Sequence, residues 1–192
     1  MKTYKKSSFV ERYREWASDE KGMSEVAGAI FVLPFVAFLI FALVECGVNM
    51  RYRILVENIN QSTVQGISND GALYWTRTSR PPITQDNTWE ADEQRRLQEL
   101  CGSAAIDGAG SHCTQPPTAD CVVADGAAVD YPPSIQVARE AGDNVRCTAT
   151  FYYKTVSPLS NTPFTSVGFS YFFHKPIVQT AYGKTVVGFS GG

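Results

Sequence analysis

The chain has 192 residues, of which 44% are hydrophobic and 19% are charged, and its formal net charge is −2. Binding to a phosphate backbone requires clustered lysine and arginine, so this weakly acidic balance argues against nucleic acid as a partner. The length is sufficient for one domain with its own core beside a membrane segment.

Residues 1–22 are polar and are interpreted as a cytoplasmic basic leader. Six basic residues lie there: Lys2, Lys5, Lys6, Arg12, Arg14 and Lys21. In the twenty residues that follow the apolar segment, the only basic residues are Arg51 and Arg53. Because basic residues beside a span stay in the cytoplasm, we predict that the N-terminus lies inside and the C-terminal region outside.

From Val26 to Val44 the chain has 19 residues without an ionisable side chain, flanked by Glu25 and Glu45. A helix of this length spans about 28 Å, enough to cross the hydrocarbon core of a bilayer. Two alternatives are a cleaved secretory signal and a lipoprotein signal acylated at Cys46. The run is longer than a signal and ends in Glu45-Cys46-Gly47, which favours a retained transmembrane helix.

The helix is predicted to continue beyond the membrane and to cover residues 23–68 in all. Val48, Tyr52, Leu55 and Ile59 recur at helical spacing and form an amphipathic stripe, which Ser62 and Gly66 continue. Pro34 removes one backbone hydrogen bond within the predicted span of about residues 26–44, so we expect a kink there.

Residues 69–192 are predicted to form an exported α+β domain that starts at the turn Asn69-Asp70-Gly71. Asn87 and Glu90 resemble a capping pair for a helix over Trp89–Leu100, and residues 101–121 read as a loop. Strands are expected over 135–139, 145–154, 165–173 and 177–187, the last interrupted at Gly183. The predicted fold class is therefore a long N-terminal transmembrane and amphipathic helix followed by a small, disulfide-stapled antiparallel β-sheet domain.

Four of the five cysteines fall in the predicted exported region: Cys101, Cys113, Cys121 and Cys147. An even number in an oxidising compartment predicts two disulfides, and all three pairings remain open. Free thiols are one alternative. A metal site that recruits His112 is the other, but the spacing contains no CxxC pair and matches no zinc pattern.

The order of these parts resembles the TadE-like minor pilins of the bacterial tight-adherence (Flp, type IVc) pilus. Leu33-Pro34, Glu45-Cys46-Gly47 and Tyr52-Arg53 match the family pattern in order and spacing. The resemblance implies a minor pilin or pseudopilin, anchored in the inner membrane, that supports initiation, capping or assembly of a pilus used in cell adhesion. The implied partners are the major pilin, other minor pilins and the inner-membrane assembly platform.

The resemblance also implies cleavage by a prepilin peptidase, for which the bond between Gly22 and Met23 is the candidate. Glu25 then lies closer to the new N-terminus than the family's glutamate does. Its carboxylate could pair with the N-terminal amine of a neighbouring subunit, or it could simply complement the dipole of the first helical turn. Pro34 and Glu45 are further candidates for helix assembly, and Glu45 could equally be a charge that marks the helix's exit from the membrane.

No catalytic motif occurs, and the histidines His112 and His174 have no nucleophile spaced to suit them. We therefore expect no enzymatic activity, no cofactor and no metal. The alternative function is an unprocessed single-span membrane protein whose periplasmic domain senses or binds a ligand.

Overall fold

The structure, a computed structural model, describes residues 20–75, 85–102, 111–124, 129–131, 135–155 and 175–188. The chain divides into two compact units, Met1–Val44 and Glu45–Gly192, called here the N-terminal unit and the C-terminal unit. The order of elements is α1 (Glu20–Asp70), a 3₁₀ turn (Gln85–Asn87), α2 (Trp89–Leu100), β1 (Thr118–Ala124), β2 (Val129–Tyr131), β3 (Ile135–Val137), β4 (Asn144–Phe151) and β5 (Ile177–Lys184). This is the predicted α+β class.

Helix α1 has 51 residues and continues through Pro34. It starts at Glu20 and ends at Asp70, slightly beyond the predicted range of 23–68 at both ends. The end is set by Gly71, which has a φ of 69° and donates its N–H to the carbonyl of Ile67 at 2.8 Å. A left-handed residue at this position turns the chain away from the helix axis, and glycine adopts it without strain.

The part Val26–Asp70 of α1 is long and apolar enough to cross a membrane by length and composition, and no residue from Val26 to Val44 is buried. Ile30, Phe31, Leu33 and Leu43 are among its exposed side chains. In water such exposure would be unfavourable at about 25 cal/mol per Å² of apolar surface. The exposed apolar surface is therefore of the kind expected for a helix that crosses a lipid bilayer once.

Within the C-terminal unit, the buried face of α1 mixes apolar and polar residues. Val56, Ile59, Val64 and Ile67 are buried, and so are the polar residues Glu45, Asn60, Thr63 and Ser68. The predicted stripe at Val48, Tyr52 and Leu55 is only partly buried, because it borders this face rather than forming its centre. Hydrophobic periodicity located the correct side of the helix and omitted its polar members.

Helix α2 has the predicted bounds, Trp89–Leu100, but the predicted cap is wrong by one residue. Thr88 has an extended backbone, and its hydroxyl oxygen accepts a hydrogen bond from the N–H of Ala91 at 3.1 Å. A threonine side chain at this position satisfies one of the helix's free N–H groups. The capping residue is therefore Thr88 and not Asn87.

Three strands form an antiparallel sheet in the order β1-β4-β5, and β2 pairs with β3 in a separate two-stranded sheet. The prediction of a loop over 101–121 is wrong at its end, because residues from Thr118 onward pair with β4. Gly183 does not interrupt β5, which continues to Lys184. A Cβ at residue 183 would lie 2.6 Å from Cγ1 of Val64, so glycine there allows α1 to approach the sheet. The predicted strand over 165–173 lies outside the described residues.

Alternate residues of β4, from Val145 to Phe151, are buried and pack towards α1 and α2. They contribute to two hydrophobic clusters. The first is built on Val56, Ile59, Leu97, Ala149, Phe151 and Ile177, and the second on Val64, Ile67, Leu73, Val123, Ile135 and Val145. Each cluster contains one pair of disulfide-bonded cysteines. The core of the C-terminal unit thus lies between the two helices and one face of the sheet.

Candidate functional site

The candidates near the start of α1 are placed on the helical backbone. Gly22, Met23 and Glu25 all lie within α1. Their side chains lie outside the described part of the chain, so cleavage at Gly22 and the pairing of Glu25 stay predictions. Pro34 is helical, and the kink expected there also stays a prediction.

Glu45 belongs to the C-terminal unit and is buried, with only 1% of its surface exposed. It faces the hydroxyl of Tyr153, as does Asn49. Burial is the largest cause that raises the pKa of Tyr153 to about 12; the neighbouring side chain of Asn49 lowers the pKa, and the negative charge of Glu45 raises it. Tyr52 stacks on Phe151 of β4, with ring centroids 5.3 Å apart. Glu45 therefore lies beside the aromatic side chains of Tyr52, Phe151 and Tyr153, and its role in assembly or at the membrane boundary stays a prediction.

The four predicted cysteines form two disulfides, Cys101–Cys113 and Cys121–Cys147. The first joins the C-terminal end of α2 to Cys113, which forms an isolated β-bridge with Tyr153. The second joins residues directly opposite each other on β1 and β4. Disulfides over loops of this size contribute about 2–4 kcal/mol to the free energy of unfolding. Cys46 is a free, exposed cysteine.

A buried carboxyl group lies against the second disulfide. Glu93 of α2 is 0% exposed, and its Oε2 lies 3.3 Å from Sγ of Cys121. Its Oε1 has no hydrogen-bond partner among the described residues. The sulfur carries no proton because it is bonded to Cys147, so the only hydrogen that can lie between the two atoms belongs to a protonated Glu93. The geometry therefore favours the neutral carboxyl group.

The electrostatic surroundings of Glu93 agree with this assignment. Burial, followed by repulsion from Glu90, raises its pKa from 4.5 to about 7; the positive charge of Arg96 lowers the pKa, and Asp92 raises it again. Glu90 is itself engaged, because its carboxylate accepts the backbone N–H of Cys121 at 3.0 Å. Glu93 thus titrates close to neutral pH.

The sequence did not single out Glu93, although it contained a signal. Trp89, Glu93 and Leu97 are four residues apart, which places the acid between two apolar residues on one side of α2. An acid on an apolar stripe is the pattern expected of a buried titratable group.

Glu93, Cys121 and Cys147 form the one group of metal-ligating atoms found within the described residues. Both sulfurs are consumed in the disulfide, and the thiolate is the form of cysteine that binds metals. In its oxidised form this cluster does not offer a metal site. His112, considered as a metal ligand from the sequence, is exposed, and its backbone bonds to Cys101 and Lys154.

Two open grooves lie on the surface of the C-terminal unit. One of about 330 Å³ is lined by Leu73, Glu90, Gln94, Arg95 and Ile135. The other, of about 260 Å³, lies between α1 and α2 and is lined by Gln65, Asn69, Asp70, Trp89 and Arg96. Arg96 donates to the hydroxyl of Ser62 at 2.8 Å, and Trp89 donates to Asp70 at 3.0 Å. Two pairs of side chains in the second groove are therefore hydrogen-bonded to each other.

Comparison with known proteins finds no matching family model, no similar curated protein and no similar solved structure.

Proposed function

We propose that the protein is a minor pilin or pseudopilin that supports initiation, capping or assembly of a tight-adherence pilus in cell adhesion. Its role is structural rather than enzymatic. It is placed in the bacterial inner membrane with the N-terminus in the cytoplasm and the C-terminal unit outside. Its partners are the major pilin, other minor pilins and the inner-membrane assembly platform.

The observation that supports this proposal is the nature of α1. One unbroken helix carries an apolar segment with no buried residue, and then a segment packed into a small disulfide-bonded α+β unit. This combination suits a subunit that holds others through its membrane helix while its folded part remains in water. The resemblance of residues 22–67 to TadE-like proteins implies the same role.

The first test is the intact mass and N-terminal sequence of the protein recovered from its native host. A chain that begins at Met23 supports cleavage by a prepilin peptidase and the pilin assignment. A chain that begins at Met1 favours the alternative, a permanently anchored single-span protein with a sensory or ligand-binding domain. The surface grooves of the C-terminal unit would then be the places to look for a ligand.

The second test is the variant Glu25→Ala. If this carboxylate pairs with a neighbouring subunit's amine in the membrane, the variant should enter pili several-fold less than the unmodified chain while its membrane insertion stays normal. Glu57→Ala is a matched control, because Glu57 is an exposed acid of the same helix in the C-terminal unit. Equal incorporation of both variants would remove Glu25 from the assembly mechanism.

A further inference from the structure

We propose that Glu93 is a proton-operated latch: protonated, its carboxyl group holds α2 closed over the Cys121–Cys147 disulfide, and ionised, it releases α2 and admits reductants. The inference concerns the stability of the C-terminal unit and is independent of the proposed function.

The closed state is defined by contacts between α2 and β1. Glu93 covers the disulfide with its Oε2 3.3 Å from Cys121, and the two sulfur-bearing residues are themselves almost wholly buried. Gln94 adds a hydrogen bond to the carbonyl of Pro117 at 3.3 Å. Movement of α2 away from β1 would therefore uncover the sulfurs and expose them to a reductant.

The charges around Glu93 make its ionisation unfavourable while α2 is closed. On α2 itself, Glu90 and Asp92 repel the negative charge of an ionised Glu93, and Arg96 attracts it. From β1 and β4 the disulfide sulfurs face the carboxyl group, whereas Asp120 and Arg146 of these strands have exposed side chains. From α1, Asp70 accepts a hydrogen bond from Trp89. An ionised Glu93 would thus be a buried charge with one partly engaged cation nearby, and opening would return it to water.

Release is expected at one end of α2 only. The C-terminal end of α2 is held covalently by the Cys101–Cys113 disulfide, and Leu97 is fully buried in the first hydrophobic cluster. Glu93 lies one turn before Leu97, beside the second cluster. The half of α2 that carries Glu93 can lift while the half that carries Cys101 stays attached.

The pH dependence follows from the two states of Glu93. In the open state the carboxyl group has its ordinary pKa of 4.5, and in the closed state its pKa is about 7. Ionisation above pH 4.5 therefore favours opening, and the effect saturates once the closed state also ionises. Between pH 5 and pH 7 the open population should rise about 40-fold, and between pH 7 and pH 8 by less than about twofold.

The test uses the full chain in detergent micelles and tris(2-carboxyethyl)phosphine as the reductant. The phosphine attacks one sulfur and breaks the S–S bond, and reaction with water then yields the phosphine oxide and two cysteine thiols. Released thiols are trapped with N-ethylmaleimide, and mass spectrometry assigns them to each disulfide. Where reclosing is faster than reduction, the rate follows the open population.

Glu93→Gln removes the titration and keeps a neutral hydrogen-bond donor. Relative to this variant, the unmodified chain should show the 40-fold rise in reduction of Cys121–Cys147 from pH 5 to pH 7, and Cys101–Cys113 should show a far smaller rise. Glu99→Gln, a control on an exposed part of α2, should behave like the unmodified chain. Parallel pH profiles in Glu93→Gln and the unmodified chain would overturn the proposal. An equal rise at both disulfides would overturn it as well, because it would indicate global unfolding.

If Glu93→Gln fails to fold, infrared spectroscopy of the unmodified chain decides the matter. The band of a protonated carboxyl group should persist to about pH 7, far above the ordinary pKa of an exposed glutamate. Loss of every such band by pH 5.5 would refute the latch.

Discussion

A substitution at Gly66 of α1 tests how closely α1 packs against α2. A Cβ at this residue would lie 2.5 Å from Cη2 of Trp89 and 2.6 Å from Cζ2. The indole cannot easily turn away, because its N–H donates to Asp70 at 3.0 Å and its ring packs edge-on against Trp75 at 6.0 Å. Gly66→Ala should therefore push α2 and α1 apart.

The expected change in the free energy of unfolding is the sum of two opposing contributions. Alanine is better than glycine in a helix interior by about 1 kcal/mol, whereas overpacking of a core contact costs about 1–3 kcal/mol. Gly47 lies in the same helix, and a Cβ there meets nothing within 4 Å. Gly47→Ala should therefore show the gain alone. The free energy of unfolding of Gly66→Ala should fall below that of Gly47→Ala by about 1–3 kcal/mol, which is the overpacking term.

The assay is hydrogen exchange of the β4 amides in the full chain, held in detergent micelles, because these amides report on opening of the C-terminal unit. Trp89→Leu completes a double-mutant cycle: in its background, Gly66→Ala should destabilise the C-terminal unit much less than it does in the unmodified chain. Equal protection in Gly66→Ala and Gly47→Ala would refute the close contact between Gly66 and the indole.

Two further substitutions test the polar contacts of the helices. Asn60→Ala removes the amide that donates to the carbonyls of Cys147 at 3.1 Å and Gln179 at 2.8 Å. It should lower the free energy of unfolding, measured by urea titration, by about 1–3 kcal/mol. Gln61→Ala, a control at the exposed neighbouring residue, should change this free energy by less than about 0.5 kcal/mol. Thr88→Ala should cost about 1 kcal/mol and Thr88→Ser almost nothing, measured in the same way; equal losses would mean that the hydroxyl does not cap α2.

Features encoded within a few residues could be predicted from the sequence. The bounds of α2 follow from its local pattern, and the end of α1 follows from Asn69-Asp70-Gly71. The inward-facing positions of β4 follow from strict alternation. The error of one residue at the cap of α2 arose because Asn87 and Thr88 are both good capping residues, and only the backbone geometry distinguishes them.

Features that depend on distant parts of the chain could not be predicted in this way. The loop predicted over 101–121 includes the first four residues of β1, yet pairing with β4 makes Thr118–Ala124 a strand. The same pairing sets Cys121 opposite Cys147, which selects one of three disulfide patterns that the sequence left open. The sequence predicts that Gly183 interrupts a strand, and only the approach of Val64 from α1 shows why the strand needs a glycine there.

The buried polar residues show why Glu93 differs from the rest of the core. The amide nitrogen of Asn60 donates to two carbonyl groups, which offsets much of the cost of burying this side chain, although its Oδ1 has no hydrogen-bond partner among the described residues. The hydroxyl of Thr63 donates to the carbonyl of Ile59 at 3.1 Å. Within the part of the chain that the structure describes, the carboxyl group of Glu93 has one polar contact, with a disulfide sulfur, and its second oxygen has no hydrogen-bond partner. A leucine at this position would fill a similar volume without that penalty. A buried group that breaks the rules of core packing without evident compensation is where a function is expected, and the contact of this buried carboxyl group with the Cys121–Cys147 disulfide is the reason for proposing that it responds to pH.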